Sequence, residues 1–258
     1  MIKALFFDID GTLVGFDTHR MSDKLKECLN ELRAKGVKLF ISSGRHTLVM
    51  DNLESFPFDG YIAMNGVLTI LGGETIDSHP LPKEISLQVA RIASDVKVPC
   101  WSFADTIVGI NFENERSLEV SRQLDFYPKM YLDLTDVALK HEVYQYTIYM
   151  SSEEEERYLR PVLDGVGYAR WHPYFTDIIP QGLSKSYGAG KILERLGIAP
   201  DECMAFGDGG NDIPLIEYAG IGVAMGNATD DVKAAADYVT GTVGEDGVIT
   251  ALRHFGVI

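Results

Sequence analysis

The sequence predicts an α/β fold: a parallel-sheet core interrupted by an inserted α+β domain. Three observations predict it. Short apolar runs over 3–9, 37–43 and 60–64 alternate with a helical pattern, as buried parallel strands do. The same rhythm returns after Lys185. Between these stretches the order changes to α-β-β-α-β-α-β-β, which suits an antiparallel sheet.

Taken in order, Lys3 to Ile9 is apolar and short enough for a strand. Ser22 is placed to cap a helix over 23–35, with Asp23 in its first turn opposing the helix dipole. Leu25, Cys28, Leu29 and Leu32 recur on one face of that helix, and Gly36 stops it. Strands follow over 37–43 and 60–64. Pro80 and Pro82 then punctuate the chain. Beyond them the pattern predicts a helix over 83–97, strands over 99–104 and 106–111, and a helix over 114–125. A strand (143–150), a helix (152–163) and two strands (168–171, 175–179) complete the insertion. The acidic run Glu153 to Glu156 reads as a solvated helix start. From Lys185 come a helix (186–196) ended by Gly197, a strand (203–207) and a helix (212–218), then a strand (222–225), a helix (230–236) and a strand (238–240). Residues 1–81 and 184–258 are therefore expected to form a Rossmann-like parallel-sheet core, and 82–183 an α+β cap.

Bulk properties narrow the function. The 258 residues are 46% apolar and 24% charged, an ordinary globular balance. No run of about 18 apolar residues is present to span a membrane, and the start of the chain lacks the apolar region of a signal peptide. A cytoplasmic location is expected. Cys28, Cys100 and Cys203 are too few and too widely spaced for a disulfide framework and contain no CxxC, so they are expected to be buried thiols. The net charge of −15 argues against nucleic acid as a partner. It also means that an anionic substrate would need local positive charge from a bound cation and basic side chains. The charge favours solubility and does not choose between monomer and dimer.

Four short motifs carry the chemistry. Asp8-Ile9-Asp10-Gly11-Thr12 places two carboxylates just past the first strand, where open α/β sheets bind ligands. Two acids there repel unless a cation or shared proton intervenes. A plain turn, an EF-hand loop and a phospho-receiver site are the competing readings. The EF-hand fails because Leu13 stands where its glycine belongs. The second motif, Gly207-Asp208-Gly209-Gly210-Asn211-Asp212, follows another apolar strand and opens a helix. It is not a dinucleotide fingerprint, because Asp212 takes the last glycine position. Its carboxylates are hard oxygen ligands of the kind magnesium prefers: Asp8, Asp208 and the carbonyl of Asp10 would ligate, with Asp212 orienting from behind. The third motif, Ser42-Ser43-Gly44-Arg45, offers a hydroxyl and backbone N–H groups to an anion. The fourth is Lys185, a point charge for phosphate oxygens.

These four motifs, in this order, resemble the haloacid dehalogenase superfamily, and most of all its Cof-type phosphatases with a type-IIB cap. The resemblance runs from Asp8 to the closing Asp246-Gly247-Val248-Ile249. Ser43 stands where many members carry threonine and keeps the hydroxyl. The resemblance implies a Mg2+-dependent phosphatase acting on a small phosphorylated metabolite, with Asp8 as nucleophile and Asp10 as acid and base. Lys185, Ser43, Gly44 and Asn211 would hold the phosphate, and Asp8, Asp10, Asp208 and Asp212 the metal. The cap would act as a lid that excludes water and selects the leaving group. Arg45 and Asn65 from the core, and Arg170 and Trp171 from the cap, are the candidate substrate contacts, with Trp101 and His172 behind them. A sugar phosphomutase using the same Asp8 and Asp10 is the rival reading. A phospho-receiver or regulatory module is the rival from another class, though a receiver has no reason to carry a lid.

Overall fold

The computed structural model of the chain describes residues 1–15, 18–124 and 126–258, apart from the side chains of Asp51, Leu124 and Trp171. It divides into two units, Met1–Ser78 with Leu183–Ile258, and His79–Gly182.

In chain order, the first stretch holds β1 (Ala4–Phe7), α1 (Asp23–Ala34), β2 (Lys38–Ser42), β3 (Gly60–Ala63), β4 (Leu68–Leu71) and β5 (Glu74–Ser78). The second unit runs through α2 (Lys83–Val96), β6 (Cys100–Ala104), β7 (Val108–Ile110), α3 (Glu115–Leu124), α4 (Leu134–Lys140), β8 (Val143–Ile148), α5 (Ser152–Tyr158), β9 (Val166–His172) and β10 (Phe175–Pro180). The chain then returns with α6 (Lys185–Leu196), β11 (Cys203–Gly207), α7 (Ile213–Tyr218), β12 (Ile221–Ala224), α8 (Asp230–Ala235), β13 (Tyr238–Val239) and α9 (Gly247–His254).

The first unit is built on an eight-stranded sheet in the order β13-β12-β11-β1-β2-β3-β4-β5. From β13 to β3 neighbouring strands are parallel, and β4 and β5 add an antiparallel hairpin. The parallel part matches the fold class read from the sequence; the hairpin was not foreseen. Its turn is Gly72-Gly73, both with positive φ, a pair suited to tight hairpins. Two apolar faces cover the sheet's interior. Ala4, Phe6 and Phe40 pack with Ile192 and Leu193 of α6 on one side, where the Phe6 and Phe40 rings stack at 5.0 Å. Alternation along β1 sends Leu5 and Phe7 to the other side, and Phe7 stacks on Phe206 at 5.1 Å. Gly188 lets α6 approach the sheet: a Cβ there would sit 2.6 Å from Ile62.

Strand order sets the position of everything that follows. From β1 the chain moves outward through β2 and β3, and after the insertion it resumes on the opposite side with β11, β12 and β13. The direction reverses at β1. The loops after β1 and β11 therefore lie at a topological switch point, the place where such sheets bind ligands.

The second unit is an antiparallel sheet in the order β7-β6-β8-β10-β9. Cys100, Tyr146, Ile148 and Ile178 form its core with Val89 and Ala93 of α2 and Val137 of α4. Helix α4, capped by the Asp133 side chain, has no counterpart in the elements read from the sequence. Helix α5 ends at Tyr158 rather than 163, because Pro161 disfavours helical backbone at the residue before it. The solvated reading of the acidic run is corrected in part. Ser151 and Glu154 form a capping box, but Glu155 is buried and held by Arg160 and Arg170.

All three cysteines are free and buried. Among the described residues, no helix is long and apolar enough to cross a membrane.

Candidate active site

The loop after β1 winds tightly. The N–H groups of Thr12, Leu13 and Val14 all donate to the Ile9 carbonyl, at 3.3, 3.0 and 2.9 Å. This turn throws the Asp8 and Asp10 side chains onto the rim. Gly11 is required here. Its φ is +82°, and a Cβ would lie 2.1 Å from Asp208 Oδ2. The loops after β1 and β11 thus touch through a glycine and a carboxylate.

Lys185, the first residue of α6, is fully buried beneath that contact. Its Nζ donates to Asp8 Oδ1 at 2.6 Å and to Asp212 Oδ1 at 2.5 Å. The other oxygen of Asp212 accepts the backbone N–H groups of Asp208 and Gly209, each at 3.0 Å, which folds the second loop around its own aspartate. Asp208 is held from two sides. Thr12 Oγ1 donates to Oδ1 at 3.3 Å, and Asn227 Nδ2 donates to Oδ2 at 3.1 Å. The same Asn227 amide also donates to the Gly11 carbonyl at 2.9 Å.

The electrostatics follow from burial first and from neighbouring charge second. Burial raises the Asp8 carboxyl above the ordinary range; Lys185 pulls it back, while Asp212 and Asp208 add to the rise. Asp208 is pushed up to about 6, by burial and then by the charge of Asp212. Burial would lower the Lys185 ammonium, but Asp212 and Asp8 outweigh it and hold the group above its ordinary value. One ammonium therefore faces three carboxylates. Asp8, Asp208 and Asp212 each offer an oxygen within 4.8 Å of the others, an all-oxygen set that suits a hard divalent cation. A cation bound there would offset the carboxylate repulsion that adds to the effect of burial on Asp8 and Asp208.

The remaining core candidates lie around this cluster. Ser43 is buried at the end of β2, and its Oγ accepts the Arg45 N–H at 3.1 Å. Gly44 lies against two amides: a Cβ on it would be 3.5 Å from Asn65 Nδ2 and 3.7 Å from Asn211 Nδ2. These two side chains meet, with Asn211 Nδ2 donating to Asn65 Oδ1 at 2.9 Å. Asn65 has φ +56° in a run of left-handed residues from Met64 to Gly66, and its N–H donates to the Ser43 carbonyl at 3.0 Å. Left-handed backbone of this kind concentrates at functional loops.

Arg45, expected from the sequence to contact substrate, has its guanidinium on Asp10. Nε donates to Oδ2 at 2.6 Å and Nη2 to Oδ1 at 2.9 Å. In the second unit, Arg170 donates to Glu155 and to the carbonyls of Met150, His172 and Pro173, so its fork is occupied by its own unit. Trp101 is buried against Phe126, with ring centroids 4.8 Å apart. His172 stacks on Phe175 at 5.1 Å. Trp171 is on β9, and its side chain lies outside the described residues. Thr12 and Asn227 were given no role from sequence. The signal available for Asn227 was its place just past β12, at the same rim as the other loops.

A parallel sheet with carboxylates and a buried lysine at its switch point is the frame of a phosphoryl-transfer site. The family profile for haloacid dehalogenase-like hydrolases matches residues 5–252, and the chain belongs to that family. It is 36% identical over 262 residues to YkrA of Bacillus subtilis, named as a candidate phosphatase, covering 99% of this chain and 98% of that one. Among solved structures it is similar to the phosphatase BT1666 of Bacteroides thetaiotaomicron, with TM-score 0.88, 34% identity, and coverage of 100% and 96% of the two chains. It is also similar to the subclass IIB sugar phosphatase BT4131, with TM-score 0.85, 39% identity, and coverage of 99% and 100%.

Proposed function

We propose that the protein is a magnesium-dependent phosphatase that hydrolyses small phosphorylated metabolites, sugar phosphates foremost, through an aspartyl-phosphate on Asp8. Phosphatase relatives matched over nearly the full chain support the reaction, and the likeness to a sugar phosphatase supports the substrate class. The observation that carries the reading is the buried Lys185 ammonium shared between Asp8 and Asp212 within a cluster of carboxylates.

In the first step an Asp8 oxygen attacks phosphorus, the bond from phosphorus to the ester oxygen breaks, and that oxygen takes a proton from Asp10. In the second step Asp10 takes a proton from water. The water oxygen attacks phosphorus, the bond to Asp8 breaks, and inorganic phosphate leaves. Splitting the hydrolysis in this way replaces one hard displacement by two easier ones. Lys185, Ser43, the Gly44 N–H and Asn211 are assigned to the phosphoryl oxygens, where fixed positive ends act without reorganising. The side chains of Asp8, Asp208 and Asp212 and the Asp10 carbonyl would hold magnesium. Bound there, the cation offsets the repulsion between the Asp8 carboxylate and a phosphate dianion.

The test is phosphate release from a panel of sugar phosphates, nucleotides and pyridoxal phosphate, with magnesium and with EDTA. Release that needs magnesium and is lost in Asp8→Asn is the expected result. Undiminished turnover by Asp8→Asn would remove the nucleophile assignment. An isomeric sugar phosphate in place of free phosphate would turn the reading to a mutase.

A further inference from the structure

We infer that Arg45 is a positioning residue for Asp10: its guanidinium fork fixes the plane of the carboxylate that exchanges the proton with the leaving group. The inference rests on the reading of Asp10 as acid and base given above.

The geometry is two-pronged. Nε and Nη2 each donate to a different oxygen of Asp10, at 2.6 and 2.9 Å. Two parallel bonds set both the direction and the plane of a carboxylate, whereas one point contact leaves it free to rotate. The fork is itself anchored. Nη1 donates to the Val49 carbonyl at 3.2 Å, and the Arg45 backbone is tied to Ser43 Oγ at 3.1 Å and to Met64 N at 3.2 Å. The two residues follow β1 and β2, which pair in register through Phe7 and Ile41. The pair thus spans neighbouring strand ends and ties Asp10 to the sheet.

Stability is the smaller part of what this arrangement supplies. The Arg45 and Asp10 side chains are 34% and 32% exposed, and ion pairs so open to water contribute little to folding. What the contact does supply is orientation. Asp10 sits on a turn with two side-chain torsions, and proton transfer needs the carboxylate within hydrogen-bond reach of the leaving oxygen. Each Asp10 oxygen keeps a lone-pair position outside the fork, and the transferred proton is carried there. As the bond from phosphorus to the ester oxygen breaks, that proton passes to the leaving oxygen. The need for it grows with the basicity of the leaving group: a sugar alkoxide requires it, and a nitrophenolate hardly does. The contribution of Arg45 therefore scales with leaving-group basicity.

The experiment compares wild type, Arg45→Ala and Arg45→Lys with magnesium, on para-nitrophenyl phosphate, phenyl phosphate and a hexose phosphate. For Arg45→Ala, kcat on the hexose phosphate should fall about 100-fold, the scale of a general acid's contribution. The fall on para-nitrophenyl phosphate should be several-fold at most, with KM little changed throughout. Arg45→Lys, which keeps the charge but loses the fork, should fall between the two. It also keeps the comparison open should the alanine variant fold poorly. Equal falls across the three esters, or a rise in KM with kcat preserved, would overturn the inference and return Arg45 to a substrate contact. Failure of the wild type to release phosphate from any ester would overturn the phosphatase reading and this inference with it.

Discussion

Lys185 Nζ lies 2.6 Å from Asp8 Oδ1, although the two are 177 positions apart in the chain, and the lysine is wholly buried. The contact joins the return point of the chain to its first loop. It also makes Lys185 the near counter-charge for Asp8 and Asp212. Removing it strands two buried carboxylates. Lys185→Met should cost about 3 kcal/mol of stability in EDTA, the scale for breaking a buried ion pair. Magnesium should restore part of the loss, because a cation can neutralise the same oxygens. Urea denaturation with and without magnesium measures both effects, and a variant as stable as wild type in EDTA would refute the prediction.

Asn227 should matter to metal binding although it is no ligand. Its amide bridges Asp208 and the Gly11 carbonyl, so it holds a carboxylate proposed to ligate the metal against the neighbouring loop. Groups that orient metal ligands typically account for 10–100-fold in affinity. Asn227→Ala should weaken magnesium binding by about 10-fold on that scale, read by calorimetric titration in the absence of substrate. Unchanged affinity would show that Thr12 alone suffices.

Gly11 should tolerate no side chain. Gly11→Ala places a methyl in a left-handed backbone, costing roughly 1–2 kcal/mol, and drives it into Asp208. Thermal melts should show a lower midpoint, and the midpoint should rise less with magnesium than in wild type. A variant with the wild-type magnesium response would mean that Asp208 can move aside without harm.

Glu155 governs a pH dependence in the second unit. Burial pushes its carboxyl up, but hydrogen bonds and charge from Arg170 and Arg160 outweigh this and bring it below the usual 4.5. A carboxyl depressed in the folded state stabilises the fold fully above its unfolded value. That stability fades as pH falls through the folded value. Glu155→Gln should therefore be destabilised relative to wild type near neutrality. The difference should shrink as pH is lowered below about 4, as followed by urea midpoints. A difference constant with pH would show that the cluster acts through packing alone.

The sequence by itself determined the alternation of strands and helices, the parallel sheet this alternation builds, and the four motifs that follow apolar runs. These are legible because each is local. An apolar run, a cap such as Ser22 or a stop such as Gly36 acts within a few residues. Helix α4 and the hairpin of β4 and β5 lie outside that local reading, and their length is not the reason, since the four-residue β1 and the six-residue α7 are legible. Only the tertiary structure decided which side chains meet. Arg45 and Asn65 look alike in sequence as polar residues past a strand. Folding sends one to Asp10 and the other to Asn211. Arg170 looks like an open charge until Glu155 is found buried against it. Asn227 acquires its place only because β12 lies beside β11. Each of these contacts joins residues 15 to 216 positions apart, a separation that local pattern does not encode and that the packing of whole elements closes.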